Sequence, residues 1–280
     1  MRPIGVSILT NSDRLEFLKG CIGTFLANCY FRPLIIGIHD NGSTDGTLDY
    51  LKNLPDVYGV TWRVHVSPQD IGCAKGTNRA IELVADCEYS LHIESDFHHL
   101  TPDESGVDKF WLHRAVQFMD STECDYLYLR RMRDEREMVM HFWSQWMPGV
   151  TDERDEYLKR PGFWFSQNPH LRRNSALLES GTLPMIEFDD DHKGKPNWNQ
   201  AEMKAPGPPN PWIHRWGVFV HEREHHETFS DSGCEKFGPF GSSGCKYGFW
   251  KQEDGWCKLC DWNKDFREMN AHEQRYRARM

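Results

Sequence analysis

The stretch His92, Ile93, Glu94, Ser95, Asp96, Phe97 carries two carboxylates one residue apart, at the end of an apolar run from Tyr89 to Ile93. Read as a strand continued through Asp96, alternation sets Glu94 and Asp96 on one side and turns Ser95 away. Two carboxylates converging in this way repel each other unless a cation lies between them. A hard divalent ion, Mg²⁺ or Mn²⁺, would relieve that repulsion, keep open positions and take the oxygens of a diphosphate. Acid-x-acid triplets also occur as solvated acids after edge strands, so the chemistry rests on what stands upstream.

Ile4 to Thr10 is an apolar run ending at Asn11, Ser12 and Asp13, a helix-capping cluster, after which Leu15, Leu18, Ile22, Phe25 and Leu26 recur at helical spacing. Leu34 to His39 is a second apolar run without alternation, as in a strand buried on both faces of a parallel sheet, and it ends at Asp40. A turn, Asp40 to Thr47, leads into a helix bearing Leu48, Leu51 and Leu54; Val60, Trp62, Val64 and Val66 alternate as a third strand. A helix from about Cys73 to Ala85 then precedes the acid-bearing strand. This order predicts an α/β domain with a mostly parallel sheet, whose ligands bind beyond the carboxyl ends of the strands. Asp40 and the acid pair both sit at such ends.

Further along, a helix from about Lys109 to Met119 and a strand from Tyr126 to Leu129 are expected. The stretch from Arg130 to Pro161 reads as an insertion or lid rather than sheet, Phe163 to Phe165 as strand, and Asn168 to Arg173 as a turn. The prolines Pro206, Pro208, Pro209 and Pro211 mark a loop, and Gly217 to His221 a strand.

The 280 residues, 39% hydrophobic and 13% aromatic, can bury the core of one large domain with an extension. A formal net charge of −9 argues against a protein whose main business is gripping nucleic-acid phosphates. The first apolar run is too short for a secretory signal and no later one reaches the length of a membrane span. Nine cysteines, an odd number without an export signal, read as thiols or metal ligands rather than a disulfide framework. The expected compartment is the cytoplasm.

Four stretches together resemble glycosyltransferase family 2 with its GT-A fold. They are Val6 to Thr10, D-N-G-S-T-D-G-T from Asp40, D-I-G-C-A-K-G-T-N-R-A from Asp70, and the E-S-D triplet. The resemblance implies a Rossmann-like, mostly parallel sheet flanked by helices and a nucleotide-sugar donor, most often a UDP-sugar. It implies that Asp40 holds the base, Thr10 faces the nucleotide, Glu94 acts on the ribose or through water, and Ser95 is counted with the nucleotide-binding residues. Lys75 stands in for the diphosphate contact, because Asp70 and Thr77 replace the asparagine and arginine usual in that loop. Asp96 would be the direct metal ligand, joined by a later histidine for which His221 is the best match and His225 and His226 competitors.

Inverting transfer needs a base for the acceptor hydroxyl. After the N-P-x-x-x-R turn two candidates fit, Glu202 in W-N-Q-A-E and the run Glu187, Asp189, Asp190, Asp191, with Asp190 its representative. Glu202 is preferred, because a lone acid near an aromatic ring is more easily raised in pKa than one in a solvated cluster. The expected organisation is a GT-A domain over 1–229, its nucleotide half 1–100 and acceptor half 101–229 with an insertion at 130–161. A cysteine- and aromatic-rich extension follows over 230–280. There Cys257 and Cys260 form C-x-x-C, and with Cys234 and Cys245 four thiolates fit a structural Zn²⁺, against the plainer reading of buried thiols.

A catalytically silent nucleotide-sugar binder with a zinc tail is the alternative. A dinucleotide oxidoreductase is excluded at the first turn, where T-N-S-D stands in place of G-x-G-x-x-G. The acceptor stays open among a glycan, a protein, a lipid-linked sugar and a modified nucleic-acid base. The group Arg130, Arg131 and Arg133 suits a phosphate-bearing acceptor or a salt-bridged surface.

Overall fold

Seven consecutive buried residues, Ile4–Thr10, form β1, and a run buried on both faces can only be an interior strand. The computed structural model describes residues 2–131, 152–154, 156–159, 168–176, 210–214 and 217–221. In order these give β1, α1 (Leu15–Asn28), β2 (Leu34–Asp40), α2 (Thr47–Lys52), β3 (Val60–Val66), α3 (Cys73–Glu82), β4 (Tyr89–Glu94) and β5 (Phe97–His99). Then come α4 (Pro102–Ser105), α5 (Trp111–Ser121), β6 (Tyr126–Tyr128), β7 (Asp152–Arg154), β8 (Tyr157–Lys159), β9 (His170–Arg173), β10 (Pro211–His214) and β11 (Phe219–His221). By internal contacts the chain divides between Glu222 and Arg223. The second unit, with Cys234, Cys245, Cys257 and Cys260, lies outside the described residues.

The nine-stranded sheet runs β3-β2-β1-β4-β9-β6-β10-β8-β7, and β11 with β5 forms a separate ribbon. The first four strands are parallel, while β9 is antiparallel to both β4 and β6. Chain order turns back at β1, with β2 on one side and β4 on the other. That is the switch point at which open α/β sheets leave a crevice.

One face carries Ile4, Val6 and Ile8 of β1 with Leu34, Ile36 and Ile38 of β2 and Leu91 and Ile93 of β4. Against it lie Leu18, Cys21, Ile22 and Phe25 of α1 and Trp111, Leu112, Ala115 and Met119 of α5. Burying a side chain such as Phe25, 1% exposed, contributes about 1.5–3 kcal/mol. On the opposite face Gly5 and Gly37 let the residues after α3 lie against the backbone: a Cβ at Gly37 would stand 2.7 Å from Leu83 Cβ, one at Gly5 2.6 Å from Val84 Cβ. Gly37→Ala is therefore expected to cost about 1–3 kcal/mol by overpacking. That reads as a lower urea midpoint at constant slope, and an unchanged midpoint would contradict the packing described.

Several expectations are corrected. The region after Arg130 contributes to the sheet, because β8 pairs with β10 and β7 with β8, and Tyr157 stacks on Phe118 with ring centroids 4.0 Å apart. Strands of three residues leave no periodic pattern to read. Asn168 to Arg173, read as a turn, supplies the interior strand β9; its polar residues are buried, His170 at 0% and Arg172 at 2% exposed. Pro211 opens β10 instead of closing a loop, the position in a strand that tolerates a missing N–H. Asn11, Ser12 and Asp13 do not cap α1: its first amide, Leu15 N, donates to Asp45 Oδ2 at 3.4 Å. Phe163 to Phe165 lies outside the described residues.

Among the described residues no helix is long and apolar enough to cross a membrane.

Candidate active site

Parallel register sets the strand ends level. Thr10 pairs with Asp40, and Leu9 with Glu94, so three of the expected site residues end adjacent strands at the switch point. Asp40 is fully buried and accepts the backbone N–H of Ser43 at 3.2 Å and the Ser43 hydroxyl. This is an Asx turn, and a carboxylate has acceptor sites left beyond those two bonds. Thr10 is 2% exposed and its Oγ1 has no hydrogen-bond partner.

The turn after Asp40 is held against the loop before α3. Asn41 Nδ2 donates to Asp70 Oδ1 at 2.6 Å, Gly72 N donates to the same oxygen at 2.7 Å, and Ile71 N donates to Asn41 Oδ1 at 2.9 Å. Gly42, at φ +77°, lies so close that a Cβ would meet the Gln69 carbonyl carbon at 2.5 Å. Asp70 is thus the brace of this loop, a role that its difference from the family's asparagine left unassigned. Lys75 stands exposed in the first turn of α3.

The extended geometry assumed through Asp96 stops at Glu94. Ser95 and Asp96 form a turn, after which the chain leaves the main sheet as β5, so alternation does not govern where Asp96 lies. Ser95 is buried and its N–H donates to Leu9 O at 3.2 Å, extending the β1–β4 ladder. Glu94 is half-buried at the end of β4.

Asp96 is 8% exposed and receives two cationic or polar partners on one oxygen. Arg14 Nη1 donates to Oδ2, and His221 Nε2 lies 3.2 Å from the same atom. Oδ1 is buried with no partner. Burial acts to raise the Asp96 carboxyl, but the His221 hydrogen bond and charge together with Arg14 outweigh it and hold it well below the usual carboxylate range.

The ribbon explains how a histidine 125 residues away reaches Asp96. His221 pairs with Phe97, one residue after Asp96, and its ring meets the Phe97 ring edge-on at 5.3 Å. Gly217, at φ +60°, makes the turn into β11, where a Cβ would meet Arg131 N at 2.4 Å.

The donor set suits a small divalent ion. Asp96 Oδ2 and His221 Nε2 lie 3.2 Å apart, a carboxylate oxygen and an imidazole nitrogen that together would hold such an ion. The partnerless Oδ1 leaves further donor capacity. Among the described residues no group of three His, Cys, Asp or Glu is placed to hold an ion.

Arg14 belongs to none of the four motifs; its signal in the sequence is a lone cation directly after the first strand's turn. Arg130 is not part of an exposed basic group: it is 7% exposed, donates to Asn168 Oδ1 at 2.9 Å and lies over the Phe97 ring. Glu202, Asp190 and the rest of the run Glu187 to Asp191, with Arg133, His225 and His226, lie outside the described residues.

A sheet with its switch point at β1, a β9 strand antiparallel within it and acids at the carboxyl ends is the GT-A fold. Solved structures of S. aureus TarS share it: residues 1–349 alone and the same fragment in complex with UDP, each 17% identical with a TM-score of 0.52. Each match covers 79% of this chain and 60% of that one. The same fragment in complex with UDP-GlcNAc is 16% identical, with a TM-score of 0.51 over 85% of this chain and 63% of that one. This chain therefore spans about three-fifths of the TarS fragment. No family model matches the sequence, and no curated protein does.

Proposed function

We propose that the chain is a glycosyltransferase of the family 2 type, transferring a sugar with inversion from a nucleoside-diphosphate sugar to an acceptor hydroxyl. The observation that carries this reading is the convergence of Thr10, Asp40, Glu94, Asp96 and His221 at the switch point of a GT-A sheet. A UDP-sugar is the donor of choice, in keeping with UDP and UDP-GlcNAc held by a protein of the same fold.

Asp40 accepts an N–H of the base and Thr10 Oγ1, buried without a partner, completes its hydrogen bonding there. Lys75 reaches towards the diphosphate. Asp96 and His221 hold Mn²⁺ or Mg²⁺. When bound, the ion supplies positive charge to the departing nucleoside diphosphate, the largest electrostatic demand of the reaction. Glu202, or Asp190 in its stead, takes the proton of the acceptor hydroxyl as its oxygen bonds to the anomeric carbon and the bond to the diphosphate breaks.

The test is nucleoside diphosphate release from UDP-, GDP-, ADP- and dTDP-sugars in Mn²⁺, with slow transfer to water standing in for the acceptor. Release from one nucleotide class, lost in Asp40→Ala, is the expected result. No release from any donor contradicts the reading.

A further inference from the structure

We infer that Arg14 is the exchangeable counter-ion of Asp96: it occupies the carboxylate while no metal is bound and transfers to the donor's diphosphate when the metal arrives. The inference rests on the proposed function and extends it to a residue that no motif singled out.

The geometry puts Arg14 there deliberately. After β1 the chain takes a left-handed turn at Asp13, φ +66°, a conformation that aspartate adopts more readily than most non-glycine residues. The turn leaves Arg14 in the N-cap position of α1 without acting as a cap, since Asp45 takes the first amide. The guanidinium goes to Asp96 Oδ2, the oxygen that also faces His221 Nε2.

Arg14 and His221 thus share one oxygen while Oδ1, buried in the same carboxylate, has no partner. Arginine frequently takes a carboxylate with a fork across both oxygens, as Arg63 takes Asp86. Here one oxygen is shared and the other is left over.

A divalent ion between Asp96 and His221 would set two positive charges side by side on Oδ2, so Arg14 must withdraw. Its side chain is 36% exposed against 11% for Asp96, so the arginine has solvent to move through and the aspartate has not. The anion that the ion brings is the diphosphate, and a guanidinium matches phosphate oxygens with paired N–H donors. The same residue would then disfavour metal alone and favour metal with donor, which couples the two ligands.

This predicts changes of opposite sign in Arg14→Gln of the full chain. Mn²⁺ alone, titrated by paramagnetic resonance, binds about tenfold tighter than to wild type, because a competing cation is gone. UDP at saturating Mn²⁺, titrated by calorimetry, binds about tenfold weaker. Arg14→Lys, which keeps the charge and loses the fork, recovers part of the UDP affinity and keeps the wild-type Mn²⁺ affinity.

Thermal unfolding confirms that each variant is folded; should Arg14→Gln fail to fold, Arg14→Lys carries the test through its weakened UDP binding. Both affinities unchanged, or both weakened, in Arg14→Gln would overturn the exchange. Wild type that binds no nucleoside diphosphate in Mn²⁺ overturns the proposed function and this role with it. Wild-type binding that Arg14→Gln leaves intact overturns the role alone.

Discussion

Asp96→Asn is expected to lower sugar transfer by about 10³-fold, roughly 4 kcal/mol of transition-state stabilisation, while leaving the fold almost untouched. Asparagine keeps the shape of the side chain and loses the charge that would hold a divalent ion. The variant also loses its charge opposite Arg14 and His221, but the asparagine oxygen still accepts from both, and their side chains, 36% and 25% exposed, stay open to water. Comparing donor turnover with the thermal midpoint separates the two effects. A large fall in midpoint with proportionate loss of activity would make Asp96 a structural residue and contradict the role given to it.

Acidification is expected to unfold the protein well above the range in which carboxylates titrate. His92, His99 and His170 are 0%, 4% and 0% exposed. Burial drives His92 down to about 3 and His99 to about 4, and burial with the charges of Arg172 and His92 drives His170 well below its ordinary value. Arg172, 2% exposed, lies against His170, with Nη1 3.2 Å from its Nε2.

Each of these histidines is neutral in the native state and titrates near 6.5 when unfolded. The unfolded chain therefore binds more protons as pH falls. The stability they confer is fully present above about 6.5 and is lost as pH drops towards the folded values. Each costs at most about 1.4 kcal/mol per pH unit, or about 4 for the three together. For a total near the lower end of about 5–15 kcal/mol, unfolding near about pH 5 follows. Thermal midpoints should change little between pH 7.5 and 6.5 and fall steeply from 6.5 to 5.5, and a flat series would show that these rings find proton acceptors on protonation.

What could be read beforehand was the half of the molecule built from runs of consecutive or regularly spaced apolar residues. Ile4–Thr10, Leu34–Asp40 and Val60–Val66 stand out because each run is bounded by a polar turn and a helical pattern follows or precedes it. The half after residue 100 gave no such signal. Its strands β6, β7 and β8 have three residues each, too few for a period, and β6 and β8 pair with β10, far along the chain. In β9 the buried side includes His170 and Arg172, residue types that read as solvated surface unless their neighbours are known.

The same limits divide the candidate site. Asp40 and Glu94 end legible strands, so their level placement follows from register. Asp96 lies beyond the strand, where the turn and the β5–β11 ribbon decide its position. Only long-range pairing sets His221 and Arg14 on one carboxylate oxygen.

The central claim is that this carboxylate and histidine serve a metal-bound nucleoside diphosphate. It is tested most directly by calorimetric titration of UDP, GDP, ADP and dTDP into the wild-type chain, with and without Mn²⁺, and into Asp96→Ala. Binding of one diphosphate, tightened by Mn²⁺ and abolished in the variant, is the predicted result. Binding of none, or binding indifferent to both Mn²⁺ and Asp96, would contradict the account.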